Sequence, residues 1–201
     1  MSAPRPEKQD RAGGFILIAA LVAVMWLVEV FDALGGDPDS AGIRPRDPDG
    51  LVGVPLSPFL HGSWGHLIGN TVPFIVLGAA IALGGLVRVA MVSGIVIVVG
   101  GLGTWLTAPS NTLHIGASGM VFGFAAYLVA RGAYTRNALH ILGGLAVILI
   151  YGATLVSGFV PTPGVSWQGH LFGAVGGVVA ARVLHGGHRA ASPAAAARQP
   201  A

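Results

Sequence analysis

Residues 115–131 read IGASGMVFGFAAYLVAR, an apolar run that has no acidic residue and contains Ser118 near its start. A helix needs roughly 20 mainly apolar residues to cross the hydrocarbon core of a bilayer, and this run is close to that length. Five further apolar segments lie at approximately 14–34, 60–86, 89–107, 138–158 and 167–185. The sequence therefore predicts an all-α, polytopic membrane protein with a bundle of six transmembrane helices.

The composition excludes several other classes of protein. Of the 201 residues, 53% are hydrophobic and only 9% are charged, whereas a soluble domain has about 25% charged residues. The absence of cysteine excludes disulfides and thiolate metal sites. The net charge is +3, but no basic patch has interleaved aromatic residues, so we expect no nucleic-acid partner.

The polar ends of the chain frame one membrane domain over residues 14–185. Residues 1–13 contain proline and mixed charge, and residues 186–201 are of low complexity; both are predicted to be disordered cytoplasmic tails. The run at 14–34 is too long for a signal-peptide core, so we interpret it as a retained first span. Residues 37–58 form a proline-rich loop.

The distribution of Lys and Arg predicts the orientation, because these residues accumulate in cytoplasmic segments. With both termini inside, the outer loops hold only Arg44 and Arg46. The inner segments then hold Arg5, Lys8, Arg11, Arg88, Arg131, Arg136, Arg182, Arg189 and Arg198. This distribution favours an N-in/C-in protein. Arginine also outnumbers lysine ten to one, as in GC-rich bacterial genomes, so the expected location is a bacterial plasma membrane.

This topology places three polar residues at one depth. Spans two, four and six all descend from the outer face, with Ser118 and His170 near the tops of spans four and six. His66 lies about seven residues into span two, or roughly 10 Å down a helix. Ser118, His170 and His66 are therefore expected to share the outer part of the membrane.

A serine hydroxyl needs a base to act as a nucleophile. No Asp or Glu follows Asp49, so a Ser-His-Asp triad would need Glu29, Asp32 or a loop aspartate. A Ser118–His170 dyad is more economical. An ionisable residue within a span, such as His170, usually has a functional role. Ser118 alone would fit equally well as a small residue at a helix interface.

Glycine spacing favours contact between the two helices of this dyad. Gly119 and Gly123 follow Ser118, and Gly173 and Gly177 follow His170, in small-xxx-small patterns that let helix backbones approach closely. We therefore expect spans four and six to pack together just beneath the serine and histidine.

His66 and Asn70 are four residues apart and share one helix face. Side-chain donors of this kind, with the backbone N–H of Ser118, can stabilise the oxyanion of a tetrahedral intermediate; a plain interhelical hydrogen-bonded pair is the alternative. His61 lies off that face and is expected to brace the adjoining loop. The spacing of His61 and His66 is not that of a zinc site, and no metal or other cofactor is expected.

Taken together, these residues resemble the rhomboid family of intramembrane serine proteases. The resemblance covers roughly residues 14–185 and rests on three motifs in order on the even-numbered spans: His61-x4-His66-x3-Asn70, Gly116-Ala117-Ser118-Gly119 and Gly169-His170-x2-Gly173.

The resemblance implies hydrolysis of transmembrane protein substrates within the lipid bilayer. By it, Ser118 is the nucleophile, His170 is the general base and then acid, His66 and Asn70 assist the oxyanion, and His61 is structural. Span five and the loop at 159–166 are a candidate gate.

Two other functions compete with proteolysis. A catalytically inactive rhomboid-like protein that binds membrane helices would be expected to lack the serine or the histidine. A small transporter would usually carry acidic residues within its spans, and only Glu29 comes close. One feature departs from many family members: no Trp-Arg pair occurs in the first outer loop, where Arg44 or Arg46 is a hypothetical substitute.

Overall fold

The computed structural model describes residues 6–186, with side chains from residue 10 onward. Within that part the chain is helical and forms no strand, apart from one isolated bridge between Ile43 and His114. The α-helices are α1 (Pro6–Ala33), α2 (Gly53–Leu56), α3 (Trp64–Ala82), α4 (Leu86–Thr107), α5 (Ser118–Thr135), α6 (Ala138–Gly158) and α7 (Trp167–His185). Three short 3-10 helices at Pro38–Ala41, Pro48–Val52 and Ser57–Phe59 complete the connection between α1 and α3.

The first helix differs from the sequence-based expectation at its start. It begins at Pro6, so residues 6–13, which were assigned to a disordered tail, are helical. Proline at the first helical position has a suitable fixed φ angle and loses no helical hydrogen bond, and the residues after it include good helix formers. The expected tails at residues 1–5 and 187–201 lie outside the described residues.

The second long apolar segment also begins later than expected, at Trp64 rather than residue 60. Ser63 ends the preceding loop in an extended conformation, and its hydroxyl accepts a hydrogen bond from the His66 N–H at 3.2 Å. This is a standard N-terminal cap. His66 therefore lies in the first turn of α3 rather than about seven residues into a helix.

The centre of the bundle is the pair α5 and α7, and α4 also packs against α7. A Cβ atom on Gly173 would collide with the carbonyl oxygen of Gly119, and one on Gly177 with that of Gly123. Only glycine permits this backbone contact. The prediction that the two glycine stripes bring these helices together is confirmed.

Among the described residues, four helices are long and apolar enough to cross a membrane: Asp10–Ala33, Trp64–Ala82, Leu86–Thr107 and Ala138–Gly158. The helices α5 and α7 fall short of that hydropathy because glycine, alanine and polar side chains replace large aliphatic ones. Their composition suits contact with other helices, and the apolar helices α3, α4 and α6 pack against this pair. The molecule is a multi-pass membrane protein with a helical core.

Helix α6 is the most peripheral of the long helices. Its extensive packing is with α5, where Gly144 approaches Val129 closely. Much of its remaining surface is apolar and exposed, with Leu149 at 85% and Leu139 at 77%. Large apolar side chains of this kind are stable in contact with lipid, so this face is suited to the hydrocarbon core of a membrane.

Candidate active site

Ser118 is the first residue of α5, and the loop before it holds it in place. Gly116 has a φ of +111°, a region that favours glycine, and its N–H donates to the Ser57 carbonyl at 2.8 Å. The backbone of His114 exchanges two hydrogen bonds of 3.0 Å with Ile43. The loop is therefore fixed to the connection between α1 and α3. As a first-turn residue, Ser118 has a backbone N–H with no partner in its own helix.

The hydroxyl of Ser118 contacts the imidazole of His170. The Ser118 Oγ to His170 Nε2 distance is 2.9 Å, and the histidine lies in the first turn of α7 with 7% of its surface exposed. On its other side, His170 Nδ1 lies 2.7 Å from the Gly158 carbonyl oxygen. A carbonyl can only accept a hydrogen bond, so Nδ1 carries the proton. Nε2 is then free to accept from the serine.

An aromatic ring holds the imidazole plane. Phe122 lies one helical turn after Ser118, and its ring stacks on His170 with centroids 4.1 Å apart and an interplanar angle of 5°. Phe159 packs edge-on against the same Phe122 ring. Sequence reasoning missed Phe122, although the i, i+4 spacing from Ser118 places both on one helix face and could have indicated it. Gly158 acts through a backbone carbonyl, for which the sequence holds no signal.

His66 and Asn70 line the same cavity as Ser118 and His170, with a volume of about 390 Å³. A Cβ atom on Gly116 would lie 2.7 Å from His66 Nε2 and 3.6 Å from Asn70 Nδ2, so both side chains converge on the turn that precedes the serine. Asn70 is 8% exposed, and its Nδ2 has no hydrogen-bond partner among the described residues. An amide donor is thus directed at this site without a protein acceptor.

His61 lies outside the cavity, in the loop before α3. It is 1% exposed, and its Nε2 accepts a 3.4 Å hydrogen bond from the Ala117 N–H, next to Ser118. Its ring packs edge-on against His66 with centroids 5.0 Å apart. These contacts join the start of α3 to the start of α5.

His114 is a further residue at the cavity that the sequence analysis did not assign to the site. Its Nε2 lies 2.7 Å from Thr112 Oγ1 and its Nδ1 lies 2.6 Å from Ser166 Oγ. Burial lowers the pKa of the His114 imidazole below its ordinary value, which favours the neutral ring. Because Ser166 directly precedes α7, His114 connects the loop before α5 to the start of α7.

Acidic residues are absent from the cavity wall. Neither Glu29 nor Asp32 lines it, and no aspartate of the loop at 37–58 does. Among the described residues, no three His, Cys, Asp or Glu side chains are grouped closely enough to hold a metal ion. The site consists of a hydroxyl, an imidazole oriented by a backbone carbonyl, and a nearby set of neutral donors.

The family of this chain follows from comparison with known proteins. A sequence profile described as "Rhomboid domain" matches residues 49–187. The chain belongs to the rhomboid family. The match covers α2 to α7, and therefore every residue of the site described above.

This rhomboid protein has several curated relatives. It is 45% identical over 188 residues to the uncharacterized protein Rv1337 of Mycobacterium tuberculosis, covering 89% of this chain and 78% of the relative. It is 42% identical over 181 residues to the uncharacterized protein ML1171 of Mycobacterium leprae, covering 85% and 71%. It is also 24% identical over 119 residues to a Bacillus subtilis protein named "Putative rhomboid protease YdcA", covering 59% of each chain.

Proposed function

We propose that this rhomboid protein is an intramembrane serine endopeptidase that hydrolyses peptide bonds in or near transmembrane segments of other proteins. The observation that carries the proposal is the 2.9 Å contact between Ser118 Oγ and His170 Nε2 inside a cavity of the helical bundle. A nucleophile within hydrogen-bond reach of a base, which is itself oriented by a third group, is the usual arrangement for nucleophilic catalysis.

In the first half of the reaction, Ser118 Oγ attacks the carbonyl carbon of the substrate peptide bond while His170 Nε2 accepts the hydroxyl proton. The hydrogen bond from Nδ1 to the Gly158 carbonyl keeps the ring in the required tautomer. As the ring becomes cationic, the same carbonyl dipole stabilises the charge in the role that a carboxylate has in a triad. His170 then protonates the leaving amine, and the C–N bond breaks to leave an acyl-enzyme.

In the second half, water attacks the ester carbonyl and gives a proton to His170 Nε2. The proton returns to Ser118 Oγ as the ester C–O bond breaks, which releases the carboxylic acid product. The negative oxygen of both tetrahedral intermediates would be stabilised by the Ser118 N–H, His66 and Asn70. The partnerless Nδ2 of Asn70 supports this role, because donors in a site poor in water contribute strongly to transition-state stabilisation.

The proposal includes six spans with both termini in the cytoplasm of a bacterial cell and the site below the outer surface of the plasma membrane. It is supported by the nine-to-two distribution of basic residues and by the close parallel contact of α5 with α7 beside four apolar helices. The peripheral helix α6 and the loop at 159–166 are the candidate gate. In that loop Gly164 has a φ of +78°, and a Cβ atom on it would meet nothing within 4 Å.

The test is cleavage of a model single-span substrate by the full-length protein in proteoliposomes. We expect Ser118→Ala and His170→Ala each to lower the rate by at least about 10³-fold, as loss of a nucleophile or base does. Ser93→Ala is the matched control, because Ser93 is a buried helical serine away from the cavity, and it should cleave as the wild type does.

Labelling with a fluorophosphonate provides an independent measurement. The wild type and Ser93→Ala should incorporate the probe at Ser118, and Ser118→Ala should not. Substrate cleavage by Ser118→Ala at the wild-type rate would remove the nucleophile assignment. A correctly folded wild type that binds the substrate but neither cleaves it nor reacts with the probe would instead favour an inactive helix-binding protein.

A further inference from the structure

A second cavity, of about 680 Å³, lies at the opposite end of the bundle from Ser118. Arg131, on its wall, is in the last turns of α5, 13 residues after Ser118 and therefore about 20 Å away along the helix. Side chains of α3, α5 and α6 form its apolar wall, among them Val76, Leu77, Leu128, Val147 and Ile150. The cavity thus follows the gap between α3 and the peripheral helix α6.

Three arginines from three different helices surround one end of this cavity: Arg11 of α1, Arg88 of α4 and Arg131 of α5. Among the side chains described from residue 10 onward, the only ion pair joins Arg44 to Asp47 in a distant loop. The nearby Asp10 carboxylate accepts a hydrogen bond from the Leu86 N–H at 3.0 Å. The Nε atom of Arg131 is buried and has no hydrogen-bond partner among the described residues. Among the side chains that the structure describes, no ion pair compensates the positive charge at this end.

A cavity with guanidinium groups at one end and an apolar wall along the rest is suited to a ligand that combines an anionic phosphate with hydrocarbon chains. Arginine binds phosphate oxygens through a fork of N–H donors, and basic pockets between membrane helices bind anionic lipid headgroups. The C-terminal tail does not suit this site, because residues 187–201 contain Arg189 and Arg198 but no acidic residue. A water-soluble anion would leave the apolar wall uncovered.

We propose that this cavity binds an anionic phospholipid, with its phosphate at Arg88 and Arg131 and an acyl chain between α3 and α6. In the N-in orientation the lipid comes from the inner leaflet. The site is separate from Ser118 and His170, so its occupancy can be measured without any assay of proteolysis.

The headgroup is tested with the full-length protein in neutral detergent, by native mass spectrometry with phosphatidylglycerol, phosphatidylcholine or inorganic phosphate added. Phosphatidylglycerol should bind at least about tenfold more tightly than phosphatidylcholine, given about fivefold for each arginine near an anionic headgroup. Arg88→Gln and Arg131→Gln should each weaken phosphatidylglycerol binding by about fivefold. Arg182→Gln should not, since Arg182 is exposed near the end of α7 and outside the cavity.

The acyl chain is tested with Gly143→Leu. Gly143 lines the cavity, and a Cβ atom there would meet nothing within 4 Å, so leucine would occupy the chain's space without straining the fold. Gly152→Leu is the matched control on the same helix, where the nearest atom is Ile148 Cγ2 at 3.8 Å and the cavity is not involved. We expect Gly143→Leu to lose at least about fourfold in phosphatidylglycerol affinity, which corresponds to about one methylene group that is no longer buried, and Gly152→Leu to bind as the wild type does.

Any one of the following results would overturn the proposal. These are equal binding of the two lipids, arginine variants that behave like Arg182→Gln, unchanged binding by Gly143→Leu with a normal melting temperature, and displacement of phosphatidylglycerol by an equal concentration of inorganic phosphate. Tighter binding of an acidic membrane-proximal peptide than of the lipid would also overturn it, in favour of a protein partner. None of these results depends on whether Ser118 is catalytic.

Discussion

Helices α7 and α6 both pack against α5, but they do so in different ways. Between α5 and α7 the backbones touch, and a Cβ atom on Gly173 or Gly177 would overlap a carbonyl oxygen of α5. On α6, Gly144 is close to α5, whereas a Cβ atom on Gly143 would meet nothing within 4 Å and one on Gly152 would meet only Ile148 of α6 itself. The serine and the histidine therefore lie on the tightly packed pair of helices, and the third helix is attached more loosely.

The loosely attached helix nevertheless contributes to the site at its end. Gly158, the last residue of α6, supplies the carbonyl oxygen that lies 2.7 Å from His170 Nδ1. The distance between the helices that carry Ser118 and His170 is thus set by glycine contacts, while the orientation of the imidazole depends on α6. A movement of α6 would disturb the orientation of the His170 imidazole without separating α7 from the helix that carries Ser118.

Of the variants that test this comparison between α7 and α6, Gly173→Ala is expected to have the largest effect. Its Cβ would overlap the Gly119 carbonyl oxygen, and because this is backbone the helices must separate. Overpacking of this kind costs about 1–3 kcal/mol, and a displacement of about 1 Å at the site costs about 10²-fold in rate. Thermal unfolding and substrate cleavage in proteoliposomes measure the two consequences.

The control for this variant is Gly152→Ala on α6, where the added Cβ makes ordinary contact with Ile148. Replacing a helical glycine with alanine, where the added methyl group makes no close contact, should stabilise by up to about 1 kcal/mol and leave cleavage unchanged. If Gly173→Ala unfolded and cleaved like Gly152→Ala, the contrast between the two interfaces would be incorrect.

A smaller effect is expected at Phe122, which holds the imidazole plane from the α5 side. A stacked aromatic pair contributes about 0.5–1.5 kcal/mol beyond burial, so Phe122→Leu, which keeps much of the apolar volume, should lower kcat by up to about tenfold with little change in KM. Phe122→Ala should lower kcat further because it also leaves a cavity. Equal kcat for the wild type and Phe122→Leu would show that the ring only fills space.

Sequence patterns predicted the parts of this structure that side-chain chemistry determines. The helical segments from α3 to α7 were found from apolar runs, and the contact of α5 with α7 from glycine spacing. The pairing of Ser118 with His170 was proposed because no carboxylate follows Asp49, and the two side chains lie together in the fold. The catalytic role of that pair stays a prediction.

Other features depend on backbone groups and on long-range packing, which a sequence pattern does not contain. The carbonyl of Gly158 has no sequence signature, since every residue has such a group. The bridge from His114 to Ser166 joins residues 52 positions apart, which are neighbours because α7 packs on α5 in the fold. The early start of α1 at Pro6 was missed because polar, charged residues were taken as a tail although several are good helix formers.

The smallest effect is expected at His114. This residue adds to the contact between α5 and α7, because it joins the loop before α5 to the start of α7. Burial lowers the pKa of His114 in the folded protein, so the unfolded chain binds more protons at this residue. The contribution of His114 to stability therefore falls as the pH drops below about 6.5 toward the folded pKa. His114→Gln keeps polar partners for Thr112 and Ser166 but cannot titrate. The melting temperature of the wild type should therefore fall more between pH 7 and pH 5 than that of His114→Gln, by a few degrees at most. Identical pH profiles would mean that the bridge tolerates a charged ring and that His114 makes no pH-dependent contribution to the contact between the loop before α5 and the start of α7.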